Sequence, residues 1–109
     1  MWTLLPLAIS LAAAREFSVS GYSGGAFMAA QVHFAFSKDV ITSGVVAGGP
    51  YYCSGGSYKG SLNCMNHPEK IHMDKIYEFI QAQEEAGTID STAYLKTRSA
   101  LIFTVLKIQ

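Results

Sequence analysis

The order of strand-like and helix-like segments in this chain predicts an α/β fold on a parallel sheet. Three short strand-like runs lie at about 16–20, 41–47 and 100–105, with helix-length runs at 24–37 and 73–86 between them. Strict alternation at this spacing calls for parallel strands joined by right-handed crossovers. A third observation fixes attention on one turn. Gly21-Tyr22-Ser23-Gly24-Gly25 fits the pattern G-x-S-x-G and stands between the first strand and the first helix. In such an elbow the chain reverses sharply from strand into helix, small residues flank the serine, and the hydroxyl is lifted clear of the sheet.

Each element has its own local reason. Glu16-Phe17-Ser18-Val19-Ser20 alternates as a half-buried strand does. The run from Gly24 to Ser37 is apolar almost all round (Phe27, Met28, Ala30, Val32, Phe34, Phe36), which suits a helix buried in a larger body. Its first amides carry partial positive charge beside Ser23, suited to a developing oxyanion. Ile41 to Ala47 forms the second strand, and Gly48-Gly49-Pro50 stops it. Residues 50–70 read as a loop rich in Gly, Ser and Tyr. The second helix sets Ile76, Phe79, Ile80 and Gln83 on one face and ends at Gly87, a left-handed cap. Ala100 to Val105 completes the sheet.

Composition narrows the function classes. The chain has 109 residues, half of them hydrophobic, and a formal net charge of zero. This is one domain at most. Neutrality leaves no electrostatic footprint for nucleic acid or an anionic membrane surface. No apolar run approaches the roughly 20 residues that span a bilayer. Residues 1–14 are nearly all apolar and close on Ala12-Ala13-Ala14 before the first charge, Arg15. They read as a secretory signal peptide cleaved after Ala14, although no Lys or Arg precedes the apolar run. No glycosylation sequon occurs.

Export bears on the two cysteines. Cys53 and Cys64 stand in the Gly/Ser/Tyr loop, and in an oxidising compartment such a pair is most simply a disulfide. The rival is a metal site using Cys53, Cys64, His67 and His72, which lacks the close cysteine pair of common zinc sites. No metal and no cofactor is expected.

The segment Val19 to Gln31 resembles the serine-elbow segment of secreted poly(3-hydroxybutyrate) depolymerases and related esterases, and so does Gly44 to Cys53, with its Ala-Gly-Gly-Pro-Tyr-x-Cys element. Asn63-Cys64-Met65 and Ala86-Gly87-Thr88-Ile89-Asp90 follow in the same order, so the resemblance covers about residues 17–104. It implies a circularly permuted α/β-hydrolase fold, with residues 15–109 as the N-terminal part of a catalytic domain. It further implies a carboxylic-ester hydrolase acting through an acyl-enzyme on a polyester or short-chain ester. Ser23 would be the nucleophile, the Gly24 amide an oxyanion donor, Gly21 and Gly25 the elbow glycines, and Cys53 and Cys64 a disulfide pair.

The departure comes after the third strand. There the family has a glycine turn and the triad aspartate, with the histidine some tens of residues later, whereas this chain runs Thr104-Val105-Leu106-Lys107-Ile108-Gln109. The carboxylates present do not substitute. Asp39 and Asp90 enter strands at the wrong edge of a parallel sheet, whose chemistry collects at the carboxyl ends, and Asp74 opens the second helix. His33 lies about 15 Å along the helix axis from Ser23. His67 and His72 leave the correct edge but lack an evident orienting carboxylate. The expectation is a truncated piece, inactive alone, with open sheet edges that favour self-association. The competing reading is a catalytically dead secreted domain that only binds or associates.

Overall fold

A computed structural model describes residues 15–104. The expected signal peptide, 1–14, and the last residue of the expected third strand, Val105, lie outside the described residues. Three parallel strands, β1 (Phe17–Tyr22), β2 (Val40–Val46) and β3 (Ser99–Phe103), form one open sheet in the order β1-β2-β3. This is a partial α/β fold with the predicted strand direction. Helix α1 (Gly24–Ala35) connects β1 to β2. Between β2 and β3 come α2 (Tyr58–Asn66), α3 (Met73–Ala86) and two 3-10 turns, Pro68–Lys70 and Thr92–Thr97.

The pleat sorts the central strand. Ser43 and Val45 share the face buried beneath α1, while Val46 on the opposite face is exposed. α1 lies across β1 and β2 and buries Ala26, Ala29 and His33, spaced as one helical face. Small alanines allow close approach to the sheet. The apolar character of its other faces remains visible, since Met28 is 62% exposed.

α3 packs as its sequence predicts. Ile76 and Ile80 are buried with Tyr51, and Phe34, Phe79 and Tyr52 close around them. Phe34 stacks on Tyr51 at 4.9 Å and Tyr52 on Phe79 at 3.5 Å between ring centroids. Gly87 ends α3 at φ 73°, and its amide bonds the Gln83 and Glu84 carbonyls, the left-handed cap that only glycine adopts without strain. α3 lies over the same sheet face as α1 but stands off it. A cavity of about 470 Å³ remains between His33, Ile80, Ser43 and Ile102; it leaves Ala100 and Ile102 of β3 exposed on that face, and Leu101 and Phe103 are exposed on the other.

The amino end of the sheet is tied by a set of polar contacts between residues 35–38 and 90–98. The Asp90 amide donates to the Ala35 carbonyl at 3.0 Å, and the Lys38 amide donates to Asp90 Oδ2 at 3.1 Å. Ser37, fully buried, donates from Oγ to the Ser91 carbonyl at 3.2 Å. Arg98 donates from Nε to the Ser37 carbonyl at 2.9 Å and from Nη2 to that of Lys38 at 2.6 Å. These are the last carbonyls after α1, where a cation complements the helix dipole.

One expectation is corrected. Residues 50–70 are not all loop, because Tyr58–Asn66 is helical. Ser57 caps it by accepting from the Gly60 amide at 2.9 Å, and Cys53–Cys64 joins the helix to the preceding loop. None of its residues is buried, and Gly60 breaks up a short apolar row of Tyr58, Leu62 and Met65, so the segment reads as loop. Smaller shifts occur at the ends. β1 runs on through Gly21 and Tyr22, because ladder pairing with β2 continues to Val46. α1 stops at Ala35, because residues 36–40 turn on the Phe36 carbonyl.

Candidate active site

Ser23 is the single residue between the end of β1 and the start of α1. Its backbone holds φ 53° and ψ −115°, a conformation a non-glycine residue adopts only under constraint. The constraints come from both sides. Its amide donates to the Val46 carbonyl at 2.9 Å, extending the sheet by one rung. Its carbonyl accepts from the Ala26 and Phe27 amides at 2.9 and 3.1 Å, starting the helix. A serine at a helix N-cap usually spends its hydroxyl on the next amides. Here the side chain makes no such bond and Ser23 is exposed, so both the hydroxyl and the first amides of α1 are left for something else.

Gly21 is required by this turn. A Cβ there would overlap the Gly25 carbonyl and crowd the Ala26 amide. The same necessity, expected at Gly25, does not hold: a Cβ on Gly25 meets nothing within 4 Å, and neither does one on Gly24. The clash is one-sided because β1 runs under the first turn of the helix, and the side-chain direction at Gly25 leads to open space.

The neighbouring strand ends in a second unusual turn. Ala47, following β2, has φ 55° and donates to the Phe103 carbonyl at 2.9 Å. Beyond it the chain passes through Gly48 and Gly49 to the disulfide loop, where Tyr52 has φ 56°. Cys53 and Cys64 are joined, which removes both thiolates from the alternative metal set. Among the described residues no cluster of three or more His, Cys, Asp or Glu could hold a metal ion. A cleft of about 320 Å³ runs from Gly24 along α1, walled on its other side by the disulfide loop and α2.

The three histidines fall in different places. His33 is buried on α1, its Nδ1 2.7 Å from Ser43 Oγ and its Nε2 without a hydrogen-bond partner. Burial, and secondarily the Arg98 charge, push its pKa down, so it is neutral at pH 7. His67 is exposed and does have a carboxylate, Glu69 Oε1 at 3.1 Å, a pairing two residues apart that the sequence reading overlooked. His72 is the N-cap position of α3 and makes no side-chain cap bond. Asp39 and Asp90 sit at the amino end of the sheet, opposite Ser23, as expected. Among the described residues neither a histidine nor a carboxylate hydrogen-bonds Ser23.

A partial parallel α/β sheet with an exposed, constrained serine between strand and helix resembles, at the level of family, enzymes of the serine-hydrolase type. Over 88 residues the chain is 38% identical to a poly(3-hydroxybutyrate) depolymerase of Delftia acidovorans, an alignment covering 79% of this chain and 18% of that protein. The chain thus spans less than a fifth of the relative's length. No protein-family description matches it, and neither does any solved structure. Among the described residues no helix is long and apolar enough to cross a membrane.

Proposed function

We propose that this chain carries the nucleophile-bearing part of a secreted serine carboxylic-ester hydrolase of the poly(3-hydroxybutyrate) depolymerase type. The observation that carries the reading is the Ser23 turn: a non-glycine residue at φ 53° whose hydroxyl is free of the capping role its position invites. Ser23 Oγ attacks the ester carbonyl, and the oxyanion that develops is met by the Gly24 amide at the positive end of α1. Collapse of this intermediate breaks the ester C–O bond and expels the alcohol, leaving an acyl-enzyme that water hydrolyses to the carboxylic acid and free Ser23. Secretion rests on the apolar Met1 to Ala14 leader and on the Cys53–Cys64 bond, which persists in oxidising surroundings.

A serine hydroxyl needs a histidine to take its proton and an acid to orient that histidine. Nothing among the described residues holds either role against Ser23, so the activity belongs to a longer form that supplies both. This observation also favours the second reading, that these 109 residues alone bind or associate without catalysis. Both are tested with p-nitrophenyl butyrate. The 109-residue chain is expected to hydrolyse it no faster than its Ser23→Ala variant. A longer form with the aspartate and histidine should turn over, and Ser23→Ala should reduce its kcat by roughly 10³-fold or more. Serine-dependent turnover by the short chain, lost on His67→Ala, would instead make the His67–Glu69 pair the base.

A further inference from the structure

Gly48-Gly49 follows β2 and reads in the sequence as the stop of that strand. The backbone gives these glycines a different reason. Neither takes a positive φ, so neither is needed for a left-handed turn. The residue that does is Ala47, at φ 55°, which carries its Cβ in a region that side chains disfavour. What Gly48 and Gly49 permit is close approach. A Cβ on Gly48 would stand 2.7 Å from the Cβ of Ala26, 2.8 Å from Val45 Cγ1 and 3.2 Å from the Ala26 carbonyl carbon. One on Gly49 would stand 2.6 Å from Phe27 Cε1 and 3.0 Å from Cys64 Sγ. Ala26 is fully buried and belongs to the first turn of α1, so that wall cannot draw back cheaply.

These contacts converge on the groups that hold Ser23. Ala26 and Phe27, against which Gly48 and Gly49 pack, are the two residues whose amides bond the Ser23 carbonyl. The Ser23 amide donates to the carbonyl of Val46, the residue before Ala47. Ala47 is itself tied to the Phe103 carbonyl, and its Cβ leaves it a narrower range of backbone angles than glycine would have. Both sides of the Ser23 backbone are therefore held through residues 46–49. We propose that this turn clamps Ser23, with Ala47 and Gly48 as positioning residues that keep the serine at φ 53° and its hydroxyl off the helix amides. The proposal rests on the nucleophile reading above and adds what holds the nucleophile in place. A serine free to take ordinary N-cap angles turns its hydroxyl onto the first amides of its helix. Releasing the clamp would thus occupy the nucleophile and the oxyanion donors with one another.

Amide exchange reads the clamp on the 109-residue chain itself. Gly48→Ala should speed exchange of the Ser23, Ala26 and Phe27 amides by about tenfold or more relative to the Ile80 amide in α3. Ile80→Val, which loosens the core elsewhere, should not single out those three. Ala47→Gly creates no overlap and relieves the left-handed φ, so at a merely structural residue it would leave the three amides as protected as before or more so. The clamp predicts faster exchange there too, and this variant serves should Gly48→Ala not fold. In a longer form that hydrolyses p-nitrophenyl butyrate, Ala47→Gly should lower kcat by roughly tenfold to a hundredfold with KM within about twofold, the mark of a misplaced nucleophile and not of lost binding. Uniform acceleration across the chain, no change at the three amides, or an unchanged kcat despite their faster exchange would overturn the clamp. Hydrolysis by the longer form that is indifferent to Ser23→Ala would remove the nucleophile reading, and the positioning role with it, while the exchange result stood.

Discussion

At the residue scale, two glycines of one motif have different physical standing. A methyl group at Gly21 meets the Gly25 carbonyl, whereas one at Gly25 meets open space within the first turn of a helix. Gly21→Ala is therefore expected to destabilise the chain by about 1–3 kcal/mol through overpacking. Gly25→Ala should be neutral or stabilising by up to about 1 kcal/mol, because alanine is the better helix former. Urea midpoints at constant m-value compare the two, and equal losses would place the constraint elsewhere. His33 supplies the pH dependence. Its pKa is lowered in the folded chain by burial and then by Arg98, so the unfolded chain binds the proton more readily. Its contribution is fully present above its ordinary value near 6.5 and is lost as pH falls below that. The urea midpoint should decline from pH 7.5 to pH 5 with a slope that His33→Leu flattens; an unchanged slope would assign the effect to other groups. The motif was legible in the sequence, but the Ser43 hydroxyl beside His33 and the Glu69 carboxylate beside His67 depend on packing and turn geometry that spacing does not reveal.

At the scale of elements, legibility followed burial. α3 shows its Ile76–Ile80 stripe because that stripe faces a core, and β2 shows its β-branched run because it is the central strand. α2 has no buried residue, its apolar row is only Tyr58, Leu62 and Met65, and Gly60 inside it argues against a helix. What holds α2 is the Ser57 cap and the Cys53–Cys64 bond. Such a bond contributes on the order of 3 kcal/mol by restricting the unfolded chain. Replacing both cysteines by serine should lower stability by about that amount, and amide exchange in residues 58–66 should rise more than in α3. Protection of α2 that survives the double substitution would show that its side chains hold it.

Across the whole molecule the sheet is one-sided. α1 and α3 lie over the Ser43/Val45 face, and the other face exposes Tyr22, Leu101 and Phe103, the last two 61% and 55% accessible. Among the described residues β1 and β3 each leave an unpaired edge. An open, apolar-edged sheet of this kind associates. The mass measured by light scattering should rise with protein concentration, and Leu101→Lys should lower it at equal concentration; a monomer at all concentrations would contradict this. The parallel strand direction was readable from alternation, and the position of Ser23 at a carboxyl edge from the G-x-S-x-G turn between strand and helix. The stand-off of α3 and the cavity beneath it were not, because they arise from how far apart two correctly assigned elements rest.

The ties at the amino end of the sheet also set a sequence of events in time. β1, α1 and β2 are contiguous in the chain and can pair as soon as residue 46 is available. β3 must find β2 across a separation of 57 residues, as in the Ser99–Thr42 hydroxyl contact, and the Arg98 and Ser91 contacts close almost the same span, 61 and 54 residues. One loop closure therefore brings in strand and ties together, and its entropy is met only when all of them form. The separations therefore predict that β1, α1 and β2 pair before β3 is captured. In that interval the central strand is itself an edge.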